Sequence, residues 1–356
     1  MQHLAYMHRA YELALQGWGK VSPNPMVGAV IVKNGRICAE GYHQRYGDTH
    51  AEVNALEKLK GKAAGATLYV TLEPCSHWGK QPPCTDAIIK SGIKEVIVGC
   101  LDPNPVNNGK SIKLLRKAGI KVTVGILNDE LNRMNEVFNK YIITKRPWVI
   151  TKTAQTLDGK IACLSGDSKW ITSQEARDYA HHFRFGVDAI LVGINTVIND
   201  NPRLNATPNK RIKKIILDTT LKTPLRAHLF SGTQQEDVFI FTSIKPTIKH
   251  AKLLRKATII TAPLFKGKVN LPWVIDYLGQ HGISSVLIEG GASVVGEAIK
   301  QRLVDQMMVY VAPKIMGEGL ASIKGLTIKS VKDIVKLRKV NVQPIGADIL
   351  ITAYLN

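Results

Sequence analysis

Short apolar segments typical of β-strands alternate along this sequence with amphipathic segments typical of α-helices. Alternation of this kind predicts mostly parallel sheets flanked by helices, and therefore an α/β fold. The pattern is interrupted at Arg146-Pro147, and a new series begins at Trp148. Because a chain of 356 residues is too long for one ordinary hydrophobic core, we expect two α/β domains, residues 1–145 and 146–356.

Each series resolves into individual elements. In the first, an Asn34-Gly35 turn joins two strands into a hairpin. The predicted strands there are 27–32, 36–41, 66–71, 94–100 and 121–126, with helices after residue 50 and at 85–91, 109–118 and 131–145. In the second, the predicted strands are 148–154, 189–193, 214–218, 238–242, 285–289 and 306–311, with helices at 173–185, 271–281 and 293–302. Two apolar stretches beyond residue 317 stay unassigned.

The amino-acid composition indicates which class of protein this is and in which compartment it is expected. Hydrophobic residues make up 45% of the chain and charged residues 21%, which is typical of a globular protein. No apolar run approaches the roughly 20 residues that span a bilayer, and the N-terminus lacks the regions of a signal peptide, so we expect no membrane partner. An odd number of cysteines, five, indicates reduced thiols and therefore the cytoplasm.

The net charge of +20 raises the question of a nucleic-acid partner. Positive charge attracts any anion, however, including phosphorylated metabolites. The lysines are spread along the chain, and aromatic residues make up only 6% of it, so the basic stripe interleaved with aromatics that nucleic-acid grooves use is lacking. Solvated surface lysines are the simpler explanation, and charge alone does not decide the partner. Whether several copies of the chain assemble stays open.

Four residues of the first series predict a metal site. His50, Cys75 and Cys84 offer one imidazole and two thiols, a set that suits zinc and leaves a fourth position open for water. Glu52 is then free to move protons. This arrangement is typical of zinc deaminases, whose signature is H-x-E with P-C-x-x-C. Here eight residues, and not two, separate the cysteines.

A purely structural zinc site is the alternative, and it normally has four protein ligands. Cys38 or Cys100 could supply the fourth. Each lies inside an apolar strand pattern, where a buried free thiol is common. We therefore favour a catalytic site. A zinc-stabilised scaffold and a zinc-dependent deaminase of nucleic-acid bases, such as those of tRNA, are the competing hypotheses.

Further polar residues are candidates for substrate contacts. The segment between the cysteines contains two prolines and a glycine, which predicts a rigid loop whose His77 and Lys80 hold an anion. Asn24, between two prolines, could contact a sugar or a ring edge. Each of these residues could equally be an ordinary turn residue.

The second series lacks a G-x-G-x-x-G motif after its first strand, so a standard Rossmann site is not predicted. A buried strand instead runs into Gly290-Gly291 at a predicted helix start, where backbone N–H groups can approach a phosphate. Such a turn is also common as plain geometry. Lys152, Arg184 and Arg203 are candidate phosphate ligands or surface residues. Trp170 is either a stacking platform or a core residue.

Several motifs resemble those of a known family. VSPNPMVGAV, GYHQRYGDTHAE, TLEPCSHWGKQPPCTDAI and CLDPNP are similar to the N-terminal half of bacterial bifunctional riboflavin biosynthesis proteins, in which a pyrimidine deaminase is joined to a reductase. KTAQTLDGKIA, SKWITS, DAILVGINTVINDNPRL and LIEGGASV resemble the reductase half. The wide cysteine spacing separates this family from cytidine and tRNA deaminases. The likeness covers nearly the whole chain and becomes weaker after about residue 317.

The resemblance implies a cytidine-deaminase-like α/β/α domain that removes an amino group from 2,5-diamino-6-(ribosylamino)pyrimidinone 5′-phosphate. It implies zinc bound by His50, Cys75 and Cys84, with Glu52 as proton shuttle. The residues implied at the pyrimidine ribosyl phosphate are Asn24, His43, His77 and Lys80. The partner that the resemblance implies is thus a small phosphorylated pyrimidine and no nucleic acid.

For the second half, the resemblance implies a dihydrofolate-reductase-like α/β domain that uses NADPH to convert the ribosyl group to ribityl. The residues implied at NADPH are Ala154, Trp170, Thr196, Asp200, Gly291, Ala292, Ser293, Val294, Val295, Gly296 and Glu297. Those implied at the substrate are Lys152, Ser168, Arg184, Leu204 and Glu289. The preference for NADPH over NADH is not determined by these motifs.

The chain departs from the family pattern at three positions. After the N-P-R-L motif the family usually has an arginine where this chain has Thr207, and Lys210 or Arg211 is expected to replace it at the substrate phosphate. The second glycine of the family's G-x-G is Ser111, and the usual threonine before the double proline is Gln81. None of these changes removes a predicted metal ligand.

Overall fold

The structure is a computed structural model that describes residues 2–206 and 210–355. Thr207, one of the departures from the family pattern, lies outside the described residues. The chain divides into two compact units, residues 1–145 and 146–356, and both are mixed α/β. Among the described residues, no helix has the length and apolar character needed to cross a membrane.

The first unit is built on one twisted sheet. Its elements are α1 (Gln2–Leu15), β1 (Gly28–Lys33), β2 (Arg36–Tyr42), α2 (Ala51–Lys58), β3 (Thr67–Leu72), α3 (Cys84–Lys90), β4 (Glu95–Cys100), α4 (Lys110–Lys117), β5 (Lys121–Val124), α5 (Asn128–Met134) and α6 (Glu136–Thr144). The sheet order is β2-β1-β3-β4-β5. β1 pairs with both β2 and β3 in the antiparallel sense, whereas β3, β4 and β5 are parallel. The Asn34-Gly35 hairpin is confirmed.

Alternate residues of the central strands enter two different cores. In β1, Ala29 and Ile31 pack with α2, α3 and α4 on one face, while Val30 and Val32 pack with α1 and α6 on the other. Both faces of the strand are therefore buried, which is why it appears in the sequence as a continuous apolar run. The result is an α/β/α sandwich.

One predicted helix of this unit is in fact two. The expected helix 131–145 is replaced by α5 and α6, which are separated at Asn135. The Asn135 side chain accepts a hydrogen bond from Met26 N (2.9 Å) and donates one to Met26 O (2.9 Å). This long-range pairing accompanies the break, and the helical periodicity of the sequence could not predict it.

The second unit contains a larger sheet. Its elements are β6 (Trp148–Thr156), β7 (Lys160–Cys163), α7 (Gln174–Phe183), β8 (Ala189–Gly193), α8 (Ile194–Asp200), β9 (Lys213–Leu217), β10 (Val238–Thr242), α9 (Ala251–Leu254), β11 (Thr258–Thr261), β12 (Leu264–Phe265), β13 (Lys268–Val269), α10 (Leu271–Gln280), β14 (Ser285–Glu289), α11 (Ala292–Lys300), β15 (Gln306–Ala312), β16 (Gly319–Ala321), β17 (Arg338–Ile345) and β18 (Asp348–Tyr354). The main sheet has the order β11-β10-β9-β8-β14-β6-β15-β18-β17. Its strands are parallel from β11 to β15, and β18 and β17 continue it in the antiparallel sense.

The central strands of this sheet are also buried on both faces. Val286 and Ile288 of β14 enter one core, and Leu287 enters the other. The two unassigned apolar stretches of the tail include the β17–β18 hairpin, which extends the main sheet. Helix α8, which the sequence pattern did not predict, follows directly after β8 and ends at Asp200.

Candidate active sites

Three elements of the first unit bring the predicted metal ligands together. His50 immediately precedes α2, Cys75 follows β3, and Cys84 is the first residue of α3. His50 Nδ1 lies 3.2 Å from Cys84 Sγ and 3.5 Å from Cys75 Sγ. The three ligand atoms all lie within 4.8 Å of one another. Two helix starts thus meet the carboxyl end of a parallel strand, where α/β sheets usually form their sites.

The donor atoms of this cluster fit zinc. One imidazole nitrogen and two sulfurs are typical zinc ligands, and a three-residue set is typical of catalytic sites. A hydrogen bond from Cys84, and a smaller effect of the one from His50, lower the pKa of Cys75 below its ordinary value. A lower pKa favours the thiolate form, which is the form that binds metal. The two candidates for a fourth ligand are engaged elsewhere: Cys100 Sγ donates to Thr71 O and Cys38 Sγ to Arg36 O.

Glu52 lies in the first turn of α2 and is only 3% exposed. Burial raises the pKa of its carboxyl group to about 7, against the opposing effect of His50. A carboxyl group with this pKa exchanges a proton readily near neutral pH, which is what a general acid and base requires.

A cavity of about 250 Å³ opens beside these residues. The four residues that the sequence analysis assigned to the substrate all line it: Asn24, His43, His77 and Lys80. Asn24 Nδ2 lies 3.3 Å from His43 Nε2, and burial lowers the pKa of His43. His77 Nδ1 is buried without a hydrogen-bond partner among the described residues, so it is available to a ligand.

The loop between the cysteines is attached to the loop before α2. Lys80 Nζ lies 3.9 Å from the centre of the Tyr46 ring, a cation–π contact. Gln81 Nε2 donates to Gly47 O at 3.0 Å, so the departure from the family's threonine supplies a hydrogen bond across the cavity rim. Tyr46 was not among the predicted site residues.

Two further cavity residues were also missed as site candidates. Asp102 and Asn104 line the cavity from the loop that follows β4. The D-P-N-P motif at the end of a predicted strand was the signal that could have identified them, because polar turns at the carboxyl ends of parallel strands often carry function.

In the second unit, three of the predicted substrate residues form a buried charge cluster. Lys152 of β6 and Glu289 of β14 are register partners on adjacent parallel strands. Arg184 Nε and Nη2 donate to the two Glu289 carboxylate oxygens at 2.8 and 2.6 Å. Burial acts to raise the pKa of Glu289, but Arg184 and Lys152 outweigh it and lower the pKa to about 2. Burial lowers the pKa of Lys152.

The loop that carries Leu204 is held in place by Lys214, which was not among the predicted site residues. Lys214 of β9 is 2% exposed, and its Nζ lies within hydrogen-bond distance, 2.7 to 2.9 Å, of four acceptors: Arg203 O, Asn205 Oδ1, Leu229 O and Thr233 Oγ1. Arg184 Nη1 in turn donates to Asn205 O at 3.0 Å. A lysine at the start of an apolar strand carries no local signal for this role.

Ser168 and Trp170 lie in the segment between β7 and α7. Trp170 is 65% exposed, so the alternative that it is a core residue is wrong, and its assignment to the cofactor stays a prediction. The Arg177 guanidinium lies 4.4 Å from the centre of the Trp170 ring. Ser168 is half-buried.

The cofactor candidates surround a glycine pair at the end of β14. Gly290 and Gly291 have φ values of +78° and +73°, and a Cβ atom on Gly290 would lie 3.2 Å from the Thr196 side chain. The glycines therefore leave a narrow cleft, the glycine cradle, between α8 and the start of the nine-residue α11, which a side chain at Gly290 would narrow further. Helix starts with closely approachable backbone suit a pyrophosphate, so this region fits a dinucleotide.

The remaining cofactor candidates have different surroundings. Ala154 and Val294 are half-buried, Ser293 is exposed, and Asp200 ends α8. Val295 packs in the core. A Cβ on Gly296 would lie 2.0 Å from Lys324 O, so Gly296 faces another segment of the protein. Glu297 Oε1 accepts a hydrogen bond from Gln301.

Lys210 and Arg211, the expected replacements for an arginine at the substrate phosphate, both have partners within the protein, and the replacement stays a prediction. Lys210 Nζ donates to Phe185 O and Val187 O, both at 2.9 Å. Arg211 pairs with Glu236 and Asp237 at 2.8 Å each. Both cationic groups are thus bound within the protein, through contacts that their positions in the sequence do not reveal.

Comparisons with known proteins cover both units. Residues 1–100 match the cytidine and deoxycytidylate deaminase zinc-binding region, and residues 147–351 match the RibD C-terminal domain. The riboflavin biosynthesis protein RibD of Aquifex aeolicus is 46% identical, over 97% of this chain and 96% of that protein.

Solved structures agree with these matches. Acinetobacter baumannii RibD superposes with a TM-score of 0.90 at 34% identity, covering 100% of this chain and 99% of that one. A Thermotoga maritima diaminohydroxyphosphoribosylaminopyrimidine deaminase/5-amino-6-(5-phosphoribosylamino)uracil reductase gives 0.89 at 38% identity with the same coverage. These matches confirm the expected fold class and favour flavin synthesis over deamination of nucleic-acid bases. The chain therefore belongs to the RibD family of bifunctional riboflavin biosynthesis enzymes, with a zinc-binding deaminase domain and a reductase domain.

Proposed function

We propose that residues 1–145 deaminate a diaminopyrimidine ribosyl phosphate and that residues 146–356 then reduce its ribosyl group to ribityl with NADPH. The observation that carries this proposal is the cluster of His50, Cys75 and Cys84 beside a cavity that His50, Cys75 and Glu52 line. The activity named for the Thermotoga maritima structure supplies the substrate class.

In the deaminase domain, His50, Cys75 and Cys84 would hold zinc. Zinc supplies Lewis acidity that makes water a better nucleophile near neutral pH. The Glu52 carboxylate accepts a proton from the attacking water and passes it to the ring nitrogen. It then helps to move a proton to the departing amino group, which leaves as ammonia. Burial of Glu52, which raises its pKa to about 7, suits both directions of transfer.

Substrate recognition in this domain is assigned to the polar residues that line the cavity. The Asn24–His43 pair offers an amide and a neutral imidazole to the pyrimidine or ribose. Lys80 and His77 come from the loop between the cysteines, and a lysine ammonium suits a phosphate. Proton transfer and phosphate binding are thereby assigned to different groups.

In the reductase domain, bound NADPH would supply a hydride to the ribose C1′ of the deaminated product in its open-chain imine form, and one proton completes the reduction. The residues proposed to contact the cofactor are Ala154, Trp170, Thr196, Asp200, Gly291, Ala292, Ser293, Val294, Val295, Gly296 and Glu297, of which the glycine cradle beside Thr196 has the strongest support. The residues proposed to contact the substrate are Lys152, Ser168, Arg184, Leu204 and Glu289. The protein's main contribution is alignment of donor and acceptor.

We assign this activity to the cytoplasm, with small molecules as partners. Each of the five cysteines is a free thiol within the described residues, as expected in a reducing compartment.

The decisive experiment is incubation of the full chain with the diaminopyrimidine ribosyl phosphate, with and without NADPH, followed by mass analysis. Without NADPH we expect ammonia and a product in which oxygen replaces one amino group. With NADPH we expect a further gain of two hydrogens. An unchanged pyrimidine in both reactions, or deamination of tRNA in its place, would contradict the proposal.

A further inference from the structure

Two buried side chains connect the segment that carries Cys75 to the loop that follows β4. Glu73 lies two residues before the ligand Cys75 and is 3% exposed. Asn107 lies in the loop between β4 and α4 and is completely buried. Neither residue has a part in the reaction described above.

Asn107 binds the backbone on both sides of Cys75. Its Nδ2 donates to Pro74 O at 3.0 Å, and its Oδ1 accepts from Ser76 N at 3.0 Å and from Ser76 Oγ at 2.7 Å. The side-chain amide thus pairs with the ligand segment much as a neighbouring strand would. Nδ2 also donates to Asp102 Oδ2 at 3.2 Å, and Asp102 lines the cavity.

Glu73 holds the same loop at its two ends. Its Oε2 accepts from Asp102 N at 3.1 Å and from Gly109 N at 2.9 Å, and its Oε1 accepts from Ser111 Oγ at 2.8 Å. Ser111 therefore has a function that a glycine at this position could not perform, because the third bond needs its hydroxyl group.

We propose that Asn107 is a positioning residue of the deaminase, which acts with Glu73 to hold Cys75 and Asp102 in place. This inference rests on the proposed function of the His50–Cys75–Cys84 cluster. The physical reason is that the position of a metal ligand depends on the backbone beside it. Mutation of a group that supports a ligand typically lowers metal affinity or activity about 10- to 100-fold.

Removal of the Asn107 amide would leave Pro74 O, Ser76 N and one Asp102 oxygen without this partner in a buried region. Unpaired buried polar groups favour rearrangements that expose them to water. Because two of these groups flank Cys75, the rearrangement would displace its sulfur.

The test compares Asn107→Ala with Asn108→Ala, an adjacent asparagine whose side chain is exposed. Zinc transfer from the full chain to a chromogenic chelator is measured well below the unfolding temperature, together with kcat/KM for ammonia release. We expect about 10-fold faster zinc loss and at least 10-fold lower kcat/KM in Asn107→Ala. The Asn108→Ala protein should match the wild type, and NADPH oxidation on pre-deaminated substrate should be unchanged in both.

Ser76→Ala covers the case in which Asn107→Ala does not fold, because it removes only the Ser76 Oγ–Asn107 bond. We expect zinc loss to be about 2- to 3-fold faster. A folded Asn107→Ala protein with wild-type zinc release and kcat/KM would overturn the positioning role, as would an unchanged Ser76→Ala protein. A wild-type chain that neither retains zinc nor releases ammonia would instead overturn the proposed function itself.

Discussion

Glu52 and Glu289 are both buried glutamates, yet their surroundings shift their pKa values in opposite directions. Around Glu52, burial dominates and raises the pKa to about 7. Around Glu289, burial acts in the same sense, but Arg184 and Lys152 outweigh it and the pKa falls to about 2. The first carboxyl group can therefore exchange protons near neutral pH, whereas the second stays ionised there.

Replacement of Glu52 by glutamine should slow ammonia release about 10²- to 10⁴-fold, because the amide cannot accept and return a proton. Zinc content should stay at the wild-type level, since Glu52 is not among the three clustered ligands. NADPH oxidation on pre-deaminated substrate is the internal control. Undiminished ammonia release would refute the proton-shuttle role.

Replacement of Glu289 by glutamine should destabilise the reductase domain by about 3 kcal/mol at pH 7, because it leaves Arg184 and Lys152 as uncompensated buried cations. The folded-state pKa of Glu289 lies below its ordinary value of 4.5. Its contribution is therefore complete above about pH 4.5 and is lost as the pH falls toward 2. Urea unfolding should show the difference between variant and wild type shrinking over that range.

Glu236→Gln is the matched control for this experiment. Glu236 pairs with Arg211 on the surface, and both side chains are 64% exposed. Exposed pairs contribute about 0–1 kcal/mol, so the control should remain close to wild type. Equal losses in the two variants would argue against the buried-cluster explanation.

At the scale of elements, the strands were predictable where both of their faces are buried. The strands at 189–193 and 285–289 were predicted with the bounds that the structure has, because a short apolar run between turn signals is a local property. The division of one helix at Asn135 was not predictable. It coincides with a hydrogen-bonded partner 109 positions away.

Close packing of α2 on β2 gives a prediction for Gly41. A Cβ atom at this position would lie 2.4 Å from Ala51 O and 2.6 Å from Ala55 N of α2. Gly41→Ala should therefore displace the helix that carries Glu52, with a stability cost of about 1–3 kcal/mol and loss of ammonia release. Reductase activity should persist.

Gly296→Ala is the reciprocal variant, because its Cβ would lie 2.0 Å from Lys324 O in the reductase domain. It should impair NADPH oxidation and spare ammonia release. Each variant thus serves as the control for the other. Loss of both activities in either protein would show that the disturbance is not local.

At the scale of the whole molecule, each unit has its own hydrophobic cores on both faces of its own sheet. A domain with such a core does not need a metal ion to fold, unlike small zinc-dependent modules. We therefore expect zinc in the first unit to be needed for catalysis and not for folding.

Removal of zinc by a chelator should stop ammonia release while the far-ultraviolet circular dichroism of the full chain stays close to that of the zinc-loaded protein. NADPH oxidation on pre-deaminated substrate should continue. Readdition of zinc should restore ammonia release. Unfolding of the first unit on chelation would instead support the zinc-stabilised scaffold.

The sequence by itself determined the α/β class and identified His50, Cys75 and Cys84, with Glu52, as candidates for the zinc site, because strand patterns and motif spacing are properties of short segments of the chain. Only the tertiary structure decided which cationic side chains are bound to partners within the protein. It assigned Arg184 to Glu289, 105 positions away, Lys210 to backbone carbonyls, and Lys214 to a loop it holds in place. It also placed Asn107 against both neighbours of Cys75. These pairings depend on burial and on contacts between distant segments, and neither is encoded in local spacing.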